Sequence, residues 1–416
     1  MRVAVIGGGI SGIVASYLIS RKNEVVLFEK EQRLGGHTYT VTADNGGTPM
    51  PVDMGFIVFN DPNYPVFNSF LHELGVRRAE SDMSFAFHDP NSGFMYAGTG
   101  LRGMLARWRN IISPTFWKMI SGMRKFSSEA RQDLYDGKLV GVTIGEYMDA
   151  KGYSRDFEDH YLLPMAGAIW SAPQGRARDF PAEALVRFFD NHVLLDYQNR
   201  PPWYYVEGGS QAYVKAFESV FTGEIRCDAP VASVQRNNDS VSVDCGSGPE
   251  QFDAVVMATH ADISLKLLND ATEGEVSLLS PWSYADNHVV LHTDKSFLPP
   301  TEPATASWNF IKEPDRPEDA PVGVSYHMNR LQKLPARNEH IVTLNPIREP
   351  SSGSLIESVH FDHPQYSLDA LDTQKHFHEL DGVNRTFFCG AYQGYGFHED
   401  GAMSGERVAR NFGESL

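Results

Sequence analysis

The sequence predicts an α/β fold in which a parallel sheet is interleaved with a second domain of antiparallel sheet plus helices. Three observations point there. A strand–helix–strand unit with a glycine-rich first turn opens the chain, and a second glycine-rich turn followed by a helix closes it. Long helical and alternating stretches separate the two. At 416 residues the chain also exceeds what one hydrophobic core usually serves, so two domains are expected.

The first unit reads residue by residue. Val3 to Ile6 is an apolar run that stops at Gly7-Gly8-Gly9, and Ile10-Ser11-Gly12 completes a G-x-G-x-x-G. Apolar residues at helical spacing follow, and a second run from Val25 to Phe28 ends on Glu29, with Lys30 next. Strand, tight turn, helix, strand and acid together form a dinucleotide-binding fingerprint in the context it requires. Gly7 permits the sharp turn, Gly9 lets backbone approach a pyrophosphate, and Gly12 lets the helix pack close to the strand. The helix N-terminus, from Ile10 and Ser11 onward, offers free N–H groups and partial positive charge to phosphates. Glu29 suits two ribose hydroxyls and disfavours a 2′-phosphate.

The next segment distinguishes between dinucleotides. A nicotinamide domain would continue into a helix, but here Arg33-Leu34-Gly35-Gly36-His37-Thr38 makes a turn suited to a long extended ligand. Val52-Asp53-Met54-Gly55-Phe56-Ile57 follows shortly after. Near the C-terminus, Thr386 to Ala391 reads as a buried strand ending in Gly390. Gly401-Ala402-Met403-Ser404-Gly405 then opens a helix running to the end. A second helix N-terminus of this kind suits the ribityl chain and ring of a flavin.

Between these ends the pattern changes twice. Residues from about 100 to 200 carry Trp, Phe, Met and Leu at helical spacing. The stretches Ile225 to Val231, Val241 to Cys245 and Ala254 to Ala258 read as strands. So do His288 to His292, Ala304 to Ile311, Val322 to Met328, Ile341 to Leu344 and Leu355 to Phe361, which suit an antiparallel floor for a substrate cavity. Pro314 to Pro321 reads as an exposed loop. The expected division is 1–75, 205–270 and 375–416 for the cofactor domain, and 76–204 with 271–374 for the substrate domain.

Bulk properties narrow the function. A net charge of −17 argues against nucleic acid as a partner, because phosphate binding needs a basic surface. Cys227, Cys245 and Cys389 lack metal-ligand spacing and read as free thiols of a reducing compartment. The cofactor loop begins at residue 7, leaving no room for a secretory signal, and no apolar run approaches a membrane span. A cytoplasmic protein is expected. Residues 101–125 stand apart, with Arg102, Arg107, Arg109, Lys118, Arg124, Lys125 and no acid. Trp108, Trp117, Met104, Met119 and Ile111 offer an apolar side, with Pro114 dividing two helices. This is either a peripheral contact with the inner face of a membrane or a solvated helical pair whose aromatics join the core.

The ensemble resembles the flavin-dependent amine oxidoreductases, which include amine oxidases, phytoene desaturases and protoporphyrinogen oxidase. The resemblance runs in order through the fingerprint, Arg33-Leu34-Gly35-Gly36, Asp53-Met54-Gly55, Val206-Glu207-Gly208-Gly209, Val255 to Thr259, Gly390 and Gly401-Ala402. A closer similarity exists to predicted FAD-binding proteins encoded beside, or fused to, cyclopropane-fatty-acid synthases. It rests on Gly35 to Thr38, Gly55 to Asn60, Ser81 to Phe85, His160 to Met165, Ala168 to Ser171, Phe188 to His192 and Gly394 to Gly401.

The resemblance implies a Rossmann-like FAD-binding domain of the glutathione-reductase/amine-oxidase type. It implies FAD contacts from Gly7, Gly9, Ile10, Ser11, Gly12, Glu29, Lys30, Arg33, Gly35, Gly36, His37 and Thr38. Further contacts would come from Gly55, Phe56, Ile57, Val231, Thr259, Gly390, Ala391, Glu399, Asp400, Gly401, Ala402 and Ser404. His37 stands where many amine oxidases have arginine. Flavin itself accepts the hydride in such enzymes, so a protein acid or base is optional. His398 and His192 are the candidates for that role, each with a structural alternative; His160 and Tyr161 read as core or cavity wall. The reaction implied is hydride transfer between FAD and a hydrophobic substrate, an unsaturated or modified fatty-acyl chain, alongside partner lipid-modifying enzymes. The alternatives are an amine oxidase releasing hydrogen peroxide, with Tyr395 and Phe397 as one wall of an aromatic cage, a redox-neutral lipid isomerase, and a non-catalytic lipid carrier.

Overall fold

The computed structural model describes residues 1–170, 174–196, 201–313, 316–317, 320–335 and 337–416. Ser171 of the similarity phrase, and Pro314, Asp315, Glu318 and Asp319 of the expected loop, lie outside the described residues.

A five-stranded parallel sheet forms the centre of the cofactor region, in the order Glu224–Arg226, Glu24–Phe28, Arg2–Ile6, Ala254–Met257, Thr386–Phe388. Its three inner strands are apolar on both faces, as a sheet covered on both sides requires. Val3, Val5, Val25, Leu27, Ala254 and Val256 face one core with Ile13, Val14 and Leu18. Ala4, Ile6, Val26, Phe28, Val255 and Met257 face another, with Val234, Val243 and Phe252. The helix Ile10–Ile19 follows the glycine turn on the first face, and a meander of Ser233–Arg236, Val241–Asp244 and Pro249–Phe252 supplies the second.

The second region is a seven-stranded sheet ordered Leu355–Gln365, Ser283–His292, Ile341–Leu344, Val324–His327, Trp308–Ile311, Phe85–Asp89, Phe94–Ala97. All its pairs are antiparallel except Trp308–Ile311 with Phe85–Asp89. Helices Pro114–Tyr135, Ile144–Lys151 and Ala182–Asn191 pack around Phe126, Phe157 and Phe189. His160 and Tyr161 belong to this packing. Tyr161 is buried, and the His160 ring meets Phe87 and Phe94 edge-on, between sheet and helices.

Three expected elements differ. The strand from Ile225 ends at Arg226, because Asp228 takes φ 54° and turns the chain away. The strand expected from Ala304 begins only at Trp308. Glu302–Ala304 is a helical turn around Pro303, and the Asn309 side chain accepts from the Ala306 amide. The C-terminal helix begins at His398 rather than Gly401, so His398, Glu399 and Asp400 form its first turn instead of preceding it.

Candidate functional site

The site grows from the turn after the first strand. Gly7 has φ 108°, and a Cβ there would meet the Ala258 carbonyl oxygen at 2.6 Å. A Cβ at Gly12 would overlap the Gly7 carbonyl oxygen, so only glycine lets the helix start this close to the strand. A Cβ at Gly9 would meet nothing within 4 Å, which leaves space above the turn. Gly9 caps the helix without a side-chain hydrogen bond, so the first-turn amides face that space without a side-chain cap. The Arg33–Gly36 turn lies against the loop, with the Gly35 amide donating to the Gly8 carbonyl at 2.8 Å. Gly36, at φ 56°, would bring a Cβ to 3.3 Å from Gly9 Cα.

Each polar group beside this cradle has a defined task. Glu29 accepts the Gly8 amide on one oxygen at 2.7 Å and the Glu31 amide on the other at 2.9 Å. Each oxygen keeps a lone pair for a ribose hydroxyl. The chain leading to Val231 runs alongside, with Ala229 donating to the Glu29 carbonyl and Asp228 to that of Glu31. Arg33 donates to the carbonyls of Thr38 and Gly36 and lies 4.3 Å from the Tyr39 ring centre, fixing the turn. Asp53 is buried and accepts from Thr40, Ser210 and Gln332, joining the segment before Gly55 to Gly208-Gly209 and to the substrate region. Burial pushes its carboxyl up to about 6. Lys30 is exposed beside Glu31.

The C-terminal helix brings the second half. A Cβ at Gly401 would come within 2.7 Å of the Ile10 side chain, and one at Gly405 would overlap the Ser11 carbonyl. Early residues meet early residues, so the two helices run parallel and their N-termini open toward the same end. Their partial positive charges therefore add at one place. Ser404 accepts the Gly390 amide at 2.9 Å, orienting the turn into Ala391, while Ala402 is buried in the seam. Ser11 bonds the Cys389 thiol, whose burial pushes it up to about 12. Thr259, immediately after the strand end that packs on Gly7, bonds Ser264 at 2.8 Å.

Two acids of the first turn accept backbone amides. Glu399 accepts the Val66 and Phe67 amides at 2.8 and 2.9 Å, capping the helix Pro65–Glu73. Asp400 accepts the Tyr395 and Phe397 amides at 3.0 and 2.9 Å. Burial raises Glu399 to about 7 and Asp400 to about 6.

The imidazoles are neutral parts of aromatic stacks. The His398 ring stacks nearly parallel on Phe56 with centres 3.7 Å apart, and its Nε2 meets the Tyr213 hydroxyl at 3.0 Å. Tyr213 in turn bonds buried Thr38 at 2.6 Å. Burial lowers His398 to about 3 and His192 to about 4. Burial thus disfavours the imidazolium form of both, and each ring is stacked in an aromatic wall. His192 donates from Nδ1 to the Phe188 carbonyl and stacks on Phe188 and Trp203. Phe397 stacks on Phe188 at 5.0 Å, which spends one face of the expected cage. His37 bonds the Asp362 carbonyl and stacks on Phe361 and His363, joining the Gly-Gly turn to the substrate sheet.

Sequence reasoning missed Tyr213, His260 and His363, which no local spacing connects to the glycine motifs. The pairing of His260 with Tyr284 and of His37 with His363 arises only when the two sheets meet. Among the described residues no group of three His, Cys, Asp or Glu is placed to hold a metal ion.

A two-helix anion cradle, an acid for the ribose and an aromatic end describe the site of an extended dinucleotide carrying a flat ring. A family model of flavin containing amine oxidoreductases matches residues 10–326. The chain belongs to that family. FAD is its cofactor, and the cradle, Glu29 and the open Gly9 face fit it. Human protoporphyrinogen oxidase is 31% identical over 137 residues, 30% of this chain and 28% of that protein. Carotenoid phi-ring synthase of Streptomyces griseus is 33% identical over 108 residues, 25% of this chain and 19% of that one. The chain thus matches under a third of the length of these relatives. Solved structures agree over far more of the chain. Wild-type putrescine oxidase bound to putrescine gives a TM-score of 0.72 at 16% identity, covering 99% of both chains. A CLA-producing fatty acid isomerase from P. acnes gives 0.70 at 16% identity, covering 98% of both.

Proposed function

We propose that the protein is an FAD-dependent oxidoreductase acting on a hydrophobic substrate, an unsaturated or modified fatty-acyl chain. Bound FAD would supply the hydride acceptor or donor. The glycine turns and Glu29 hold the dinucleotide, and the C-terminal helix N-terminus faces its ring end. The observation that carries the substrate class is the character of that end. At the start of that helix Phe56 stacks on His398 and Phe188 on Phe397, with His192 on Trp203 beside them, while Glu399 and Asp400 accept backbone amides. An ammonium substrate would lose its hydration there with no carboxylate turned toward it, whereas an acyl chain loses little. The relatives named for isomerising a fatty acid and for forming a carotenoid ring agree with a lipid substrate.

Anaerobic mixing of the FAD-loaded protein with unsaturated acyl lipids and with polyamines tests this. Bleaching of the visible flavin band by the lipid supports the proposal. Bleaching by an amine, with peroxide formed in air, replaces it with an amine oxidase. Conversion of the lipid to an isomer without net bleaching replaces it with a redox-neutral isomerase. A bound lipid that survives unaltered under both conditions leaves a carrier.

A further inference from the structure

Between Leu101 and Trp117 the usual arrangement of a surface segment is inverted. Leu101, Leu105, Trp108, Ile111, Ile112 and Trp117 are exposed, Leu101 at 83%, Trp108 at 67% and Ile112 at 71%. Polar Asn110, in the middle of them, is buried and donates to the Met95 carbonyl at 2.9 Å and the Met104 carbonyl at 3.0 Å. The helical turn Trp108–Ile112 is therefore anchored by its one amide side chain, with its large apolar side chains outward. Trp117 donates from its indole to the Ile111 carbonyl at 2.8 Å, which satisfies its polar atom within the protein. Both tryptophans that are exposed among the described residues lie in this one patch. Contiguous exposed apolar surface of this kind marks a contact site.

Charge selects the partner. Six cations and no acid lie between Leu101 and Lys125 in a chain of net charge −17. Arg109 flanks the Trp108 ring at 5.6 Å. Arg102 meets Glu302 at 3.2 Å and Lys118 meets Asp156 at 3.5 Å, pairs whose basic partners are mostly exposed and thus weak. We propose that this surface docks the protein on an anionic lipid bilayer. The tryptophans and isoleucines enter the headgroup boundary and the cations pair with lipid phosphates. The acidic remainder is repelled by the same charge, which fixes one face down. The supporting helix Pro114–Tyr135 packs through Phe126 onto Phe189, next to Phe188, which stacks on Phe397. The proposal stands whichever substrate that site takes.

The test is co-sedimentation of the FAD-loaded protein with vesicles of phosphatidylcholine alone and with phosphatidylglycerol added, at low and physiological salt. The expected result is binding to the anionic vesicles that weakens with salt. Trp108→Ser with Ile112→Ser should weaken it about tenfold or more. Arg102→Gln with Arg109→Gln should weaken it about fivefold per charge and flatten the salt dependence. Flavin content should be unchanged in both, since these side chains are exposed. Failure of the wild type to bind anionic vesicles overturns the proposal, as does equal binding by both variants. A dimer in light scattering that dissolves in Trp108→Ser with Ile112→Ser also overturns it, assigning the surface to a second copy.

Discussion

Replacing His192 by Phe should make the protein less sensitive to acid. His192 is buried at the end of the helix Ala182–Asn191, stacked at 3.9 Å on Phe188. Its folded-state value is about 4, against about 6.5 for an unfolded chain. The folded state therefore binds fewer protons than the unfolded one between these values. The imidazole's contribution to stability is full above about pH 6.5 and is lost as pH falls toward 4. Between pH 7 and pH 5 the unfolded imidazole becomes almost fully protonated and the folded one stays mostly neutral, a difference of about 2 kcal/mol. Phe fills the same stack without titrating, so the variant escapes that loss. At pH 7 it lacks only the bond to the Phe188 carbonyl, worth about 1 kcal/mol. Urea unfolding of both proteins, followed by tryptophan fluorescence at pH 7 and pH 5, reads the double difference. The variant should gain about 2 kcal/mol relative to wild type on acidification. Parallel pH dependence in the two proteins would show that His192 is not held neutral.

Other substitutions probe the cradle. Gly12→Ala forces the helix off the first strand, an overpacking cost of about 1–3 kcal/mol, and should lower FAD affinity about tenfold or more in titrations of apoprotein. Unchanged affinity would mean the close approach is dispensable. Glu29→Ala removes acceptors for the ribose and should yield protein largely stripped of flavin by gel filtration; full flavin occupancy would refute its assignment. Tyr213→Phe breaks the Thr38–Tyr213–His398 chain and should cost about 1–2 kcal/mol in thermal unfolding of the flavoprotein. An unaltered melting temperature would leave that chain without a stabilising role.

What the sequence disclosed follows from how local each signal was. The first unit was legible because Gly7, Gly9, Gly12 and Glu29 act through spacings fixed within thirty residues. The start of the last helix was misplaced because Phe397, which precedes it, is no ordinary capping residue, and the first turn is stabilised by Asp400 reaching back to the Phe397 amide. The strand ending at Arg226 looked longer because apolar residues continue past Asp228, whose left-handed backbone breaks it. Phe85–Asp89 joins the large sheet beside Trp308–Ile311, more than two hundred residues away. The roles of His398 and Glu399 were similarly hidden, since their partners Tyr213, Val66 and Phe67 come from other parts of the chain.

The seam between the helices Ile10–Ile19 and His398–Arg410 bears on biosynthesis. The cradle is assembled from the two ends of the chain, and its sheet takes strands from residues 2–6, 24–28, 224–226, 254–257 and 386–388. Ile13 and Val14 share a core with residues from several earlier segments, but the seam with Gly401 and Gly405, and with it the pair of converging helix ends, forms only once both segments have been made. Such distant pairings form late and leave apolar surface uncovered meanwhile. A chain stalled before Gly401 therefore carries the fingerprint with only one of the two helix ends that meet at the cradle.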